Sequence, residues 1–182
     1  MSVLTSEFFW GVVVGVVLAA IGAWLQTVFT TRQYQKAQKD LIKNFCIDTV
    51  NNLKAIVNDM VDHRQRTQII HGDYLSLLDI EFNVFGRNRE QIIHLPNPVR
   101  NEVRKFVTDC ATRRAEIGTN LAQFTDLWDL ANQLQARGDG PQAQRVRNDA
   151  NAPIAKANQA LDQLVVHVKD STKLVDSLNK VR

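Results

Sequence analysis

VRKFVTDCATRRAEIGTNLAQFTDLWDLA, residues 103–131, sets Val103, Val107, Cys110, Arg114, Ile117, Leu121, Phe124, Trp128 and Ala131 at alternating steps of four and three. That spacing keeps one side of an α-helix apolar from end to end and is the seam of coiled-coil-like packing. Working outward, the last segment repeats the rhythm through Ala157, Leu161, Leu164, Val168, Ser171, Val175 and Leu178. Upstream, Cys46, Val50, Leu53, Val57 and Met60 form a third such seam, which Leu41, Ile42, Phe45, Ile56 and Val61 widen into a face. A face that wide packs against more than one neighbour. Between them, Leu75, Leu78, Phe82, Phe85 and Ile92 mark a shorter helix, with Asp73 as a plausible N-cap.

The breaks between these segments are compact. Asn97 can cap and Pro98 suits a first helical position, so Pro96-Asn97-Pro98 ends one helix and starts the next. The stretch Gly138-Asp139-Gly140-Pro141 is a helix stop and turn, and it explains the Arg137-Gly138-Asp139 tripeptide without an adhesion role. Pro153 bends or restarts the last segment. The reading is all-α, with helices over about 30–68, 73–95, 98–136 and 142–180. Short connections make these an elongated antiparallel four-helix bundle with coiled-coil-like seams.

Ahead of the bundle stands FFWGVVVGVVLAAIGAWL, residues 8–25, without a charged or strongly polar side chain. As a helix it reaches roughly 27 Å, close to the hydrocarbon thickness of a bilayer. Residues 1–29 therefore read as a short head and one transmembrane helix, and 30–182 as the bundle. A cleaved signal peptide fits poorly, because no Lys or Arg precedes Arg32 and the cleavage points place bulky residues where small ones belong. Arg32, Lys36, Lys39 and Lys43 follow the run, opposed by Asp40. Basic flanks favour the cytoplasmic side, so the expectation is a single-pass protein of the cell membrane, N-terminus outside and C-terminal domain in the cytoplasm. Gly11, Gly15, Ala19 and Ala23 recur every four residues. Such a small-residue ridge lets two membrane helices pack closely, with a second copy or another membrane protein as partner.

Composition excludes some classes. The net charge of +3 is mild and the basic residues are interleaved with Asp, so no nucleic-acid partner is expected. Cys46 and Cys110 sit at apolar helical positions and read as buried thiols, with no zinc or redox spacing. Asp59 with His63, and Glu90 with His94, stand four apart, but antiparallel helices keep the two pairs at opposite ends, and His71 and His167 add no motif. No metal, cofactor or catalytic constellation is expected; there is no phosphate loop and no G-x-S-x-G.

What remains is basic. Arg87, Arg89, Arg100, Arg104 and Lys105 flank the Pro96–Pro98 turn, which an up-down bundle returns toward the end holding Arg32, Lys36, Lys39, Lys43, Lys180 and Arg182. These are candidate contacts for anionic membrane lipid or an acidic partner; the plain alternative is a set of ordinary solvated charges pairing with Glu90 and Glu102. Arg114, inside the seam, snorkels, pairs with an acid or fixes register, an exposed edge being the simplest account.

The layout is similar in architecture to the sensory module of bacterial chemoreceptors, without a second span or an output domain in these residues. Two functions follow as expectations. The first is a membrane-anchored, non-enzymatic interaction or scaffold protein that oligomerises and presents a cytoplasmic bundle. The alternative is an extracytoplasmic ligand-sensing bundle working with a separate signalling partner, in which Cys46 and Cys110 could pair.

Overall fold

The computed structural model describes residues 3–68 and 70–181, with side chains described from residue 18 onward. Six α-helices account for nearly all of it: α1 (Val3–Thr67), α2 (Gly72–Arg87), α3 (Asn97–Ala136), α4 (Gly140–Asp149), α5 (Asn151–Lys169) and α6 (Ser171–Asn179). One 3-10 turn, Gln91–His94, precedes α3, and there is no strand among the described residues. The chain divides into two compact units. One comprises α1 up to Leu41; the other is Ile42–Val181.

In the first unit, Thr27, Thr30 and Thr31 return their hydroxyls to the carbonyls of Ala23, Gln26 and Thr27 at 2.7–2.8 Å. A helix thereby satisfies its own polar side chains without water. Among the described residues, no helix is long and apolar enough to cross a membrane. The sequence reading of a span rests on residues 8–25, of which 8–17 lie outside the residues with described side chains. Gly11 and Gly15 of the ridge lie there too, while Ala19 and Ala23 are exposed.

The second unit is a four-helix bundle in which α4, α5 and α6 together supply the fourth rod. α1 and α2 run antiparallel: Phe45 stacks on Phe85, Asn52 donates to Glu81 at 3.3 Å, and His63 meets Tyr74. α2 and α3 do the same, with Asp79 paired to Arg114 and Leu75 beside Gly118. On the far side His167 of α5 stacks on Phe106 of α3. Arg64 closes the ring from α1 to Asp162 of α5 at 2.8 Å. The seams form one contiguous core, with Leu53, Met60, Leu78, Ile117, Leu161 and Leu164 withdrawn from solvent.

Several boundaries differ from the sequence reading for identifiable reasons. The second helix stops at Arg87 rather than 95, because Asn88 turns back: its backbone N–H donates to the Phe85 carbonyl at 3.1 Å and its side-chain Nδ2 to the Val84 carbonyl at 2.9 Å. Asp73 is no cap; it lies in the first turn of α2 and pairs with His71 at 3.1 Å. Asn97 likewise begins α3 instead of capping it, and its side-chain oxygen is taken by Arg100. The last segment breaks twice. The first break falls at Ala150, where Pro153 withholds an amide from the preceding turn; the second is at Asp170, with neither Pro nor Gly nearby. Gly138 adopts φ +84°, a left-handed conformation that favours glycine, and Asp139 then caps α4 by accepting from the Gln142 amide at 3.1 Å.

α3 outlasts the α1–α2 pair. Its seam continues through Leu121, Phe124 and Trp128, but α1 has ended at Thr67, so Leu121 and Phe124 are half-buried and Trp128 is 44 % exposed. The far end of α3 packs instead on α4, where Ala131, Ala143 and Ala150 are buried apart from the main core.

Cys46 and Cys110 are free and fully buried. Burial pushes the Cys46 thiol up to about 11 and the Cys110 thiol up to about 12, the latter aided by neighbouring Asp109. Both are therefore protonated in the fold at neutral pH. A thiol-specific reagent at pH 8 is expected to label neither in the native protein and both after denaturation. Because the folded values exceed the ordinary value near 9, the thiols contribute fully to stability below that pH. The contribution falls as pH rises toward 11–12, where the unfolded chain loses its protons first. Urea midpoints at pH 8 and 10.5 check the sign.

Candidate functional site

Three features of the second unit stand outside its core. The first is on α2, which is apolar on two sides. Leu75, Leu78 and Phe85 face inward, while Leu77, Ile80 and Val84 remain 45 %, 56 % and 39 % exposed. Steps of three and four place those three along one outer stripe. The sequence reading followed the inner stripe and missed the outer one; its signal was a second apolar series at the same period.

The second feature is where α3 outruns its partners. Ile70, Leu75, Leu121, Phe124, Trp128 and Ile154 line a cavity of about 590 Å³, with Gln68 and Thr125 as polar neighbours and no charged side chain. Phe124 stacks on Trp128, and the Arg147 guanidinium lies 5.7 Å from the Trp128 ring centre. Gln68 at the rim holds φ +62°, a left-handed backbone for a non-glycine residue.

The third feature is basic, and the structure divides the residues that the sequence grouped. Arg89 and Arg104 line one open cleft of about 760 Å³ together with His94, Glu90, Gln91 and Ile93. Arg100 points elsewhere, donating to the Ile93 carbonyl at 3.1 Å and to Asn97, and so ties the 3-10 turn to the start of α3. Lys105 lies on another side of α3, in a groove with Glu102, Phe106 and His167. Arg87 is exposed at the end of α2. Lys43 is half-buried on α1. In the first unit Arg32, Lys36 and Lys39 are exposed at steps of four and three along one helix face. Among the described residues neither Glu90 nor Glu102 forms an ion pair with Arg87, Arg89, Arg104 or Lys105, and Arg87, Arg89, Glu90 and Glu102 are exposed.

Arg114 is not at an exposed edge. It is half-buried and paired with Asp79, so it joins α3 to α2. Of the histidines, His63 and His71 meet edge to face at 5.7 Å, an encounter across the α1–α2 turn that sequence spacing could not show. His167 places Nε2 at 3.2 Å from the Phe106 carbonyl and 3.9 Å from Asp109. No group of three metal-ligating side chains converges among the described residues.

The chain matches no family model, no curated protein and no solved structure.

Proposed function

We propose that this is a single-pass, membrane-anchored, non-enzymatic interaction protein that self-associates and presents its helical bundle to partners. The observation that carries the reading is the outer stripe of α2. A solvent-facing row of Leu77, Ile80 and Val84, opposite a face already committed to the core, is the anatomy of a helix that receives a second surface. The apolar run of residues 8–25 supports the anchor, as do the threonine hydroxyls closed onto backbone carbonyls just beyond it. The basic flank of Arg32, Lys36 and Lys39 supports a cytoplasmic bundle with the N-terminus outside. The small-residue ridge from Gly11 to Ala23 would bring copies together within the bilayer.

The test is association of full-length copies in membranes, followed by energy transfer between labelled chains. Ile80→Gln combined with Leu77→Gln is expected to weaken it about tenfold or more, since loss of buried apolar anchors costs about 2 kcal/mol or more. Gly15→Leu weakens it independently if the ridge contributes. Unchanged association in both variants counts against the reading.

A second reading, an extracytoplasmic ligand sensor, is favoured by the uncharged cavity beside Trp128. Reporter fusions that locate the C-terminus separate the two: a cytoplasmic C-terminus removes the sensor.

A further inference from the structure

We propose that the cleft between Arg89 and Arg104 is a binding site for a phosphate group, of a lipid headgroup or free in solution. This goes beyond the partner-docking reading and does not depend on it, because the cleft shares no residue with the α2 stripe.

The site is assembled by the turn between α2 and α3. Arg100 fastens the 3-10 turn to the first turn of α3 through the Ile93 carbonyl and Asn97, which fixes His94 and Ile93 relative to that helix. Arg104 stands one helical turn further along α3 and lines the cleft from that side, with Arg89 on the approach from α2. The half-buried Arg104 has no acid within ion-pair distance among the described residues, and its Nε, like those of Arg100, Arg114 and Arg147, is shielded from solvent without an acceptor. Buried donors of this kind are normally satisfied, and a guanidinium presents its N–H groups as a planar fork that suits phosphate oxygens.

Charge narrows the ligand. Two guanidiniums, Arg89 and Arg104, against the one carboxylate of Glu90 leave a formal excess of one positive charge, which matches a monoanionic phosphodiester. His94 and Gln91 add further N–H donors around the same space. Ile93 lines the same cleft while 60 % exposed, offering an apolar contact beside the charged one. That combination suits a phosphate carrying a glycerol or acyl portion, and it inclines the choice of source toward a lipid headgroup.

The experiment uses the full chain in an uncharged detergent at constant ionic strength. Inorganic phosphate is titrated by calorimetry, and phosphatidylglycerol is counted on the intact protein by native mass spectrometry. Oleate serves as an anionic amphiphile without phosphate. Binding of at least one phosphate probe is expected, about tenfold weaker in Arg89→Gln and in Arg104→Lys, which lose a charge-assisted pair or its fork geometry. Arg87→Gln, with the same charge change outside the cleft, is expected to bind normally, and Glu90→Gln to bind more tightly. Saturable binding of inorganic phosphate assigns the free anion, whereas retention of phosphatidylglycerol alone assigns the headgroup. If Arg104→Lys loosens the fold, the exposed Arg89 carries the comparison. The proposal is overturned if neither probe binds, if oleate is retained as well as phosphatidylglycerol, or if Arg87→Gln weakens binding as much as Arg89→Gln.

Discussion

Leu161→Ala is expected to destabilise the bundle by about 2–5 kcal/mol, because the lost apolar transfer is joined by the cavity left behind. Leu161 lies on the α5 seam, is fully withdrawn from solvent and belongs to the contiguous core. A loss near 3 kcal/mol lowers the thermal midpoint by roughly 10 °C for a unit of this size. The matched control is on the same helix: Val166, 61 % exposed, is expected to change stability by no more than about 0.5 kcal/mol on replacement by alanine. Circular dichroism melts of the two full-length variants make the comparison. Similar midpoints for both would mean that the α5 seam does not hold the core.

Ala143→Leu acts in the opposite way and at the other end. Ala143 of α4 is fully buried, and like Ala131 and Ala150 it is a small buried side chain outside the main core. Alanine at these positions lets α4 approach α3 closely. Three further carbons have no space without displacing a helix, so the substitution is expected to cost about 1–3 kcal/mol. The damage should be local. Hydrogen exchange is expected to accelerate in 131–150 while amides around Leu53 and Ile117 keep their protection. Uniform acceleration along the chain would show that this end and the core open as one.

The sequence displayed the helical class clearly because each long helix carries its own apolar period, and the α3 seam predicts burial at Val103, Cys110 and Ile117. The period alone could not say where a neighbour ends. Phe124 and Trp128 continue the same spacing yet lose their cover, since burial there depends on the length of α1 and α2. The break at Asp170 left no trace because it uses no special residue, whereas Pro153 announced the break just before it. The basic residues around Pro96–Pro98 were visible as a group. Their division into a clamp at Arg100, a cleft at Arg89 and Arg104, and a separate groove at Lys105 required side-chain directions that spacing does not carry. Arg114 illustrates the same limit: its partner Asp79 is thirty-five positions away.

The ring closed by Arg64 and Asp162 has a consequence for how the chain matures. α2 and α3 each meet their immediate predecessor, so these two hairpins can form as soon as the second helix of each is made. The α1 face that receives α5 has no such early partner. During synthesis it must stay open until Asp162 arrives, ninety-eight positions after Arg64. A ribosome stalled before Asn151 would thus hold a nascent chain with exposed apolar surface, a state that recruits chaperones or aggregates. Completion of the last rod is what makes the earlier ones safe.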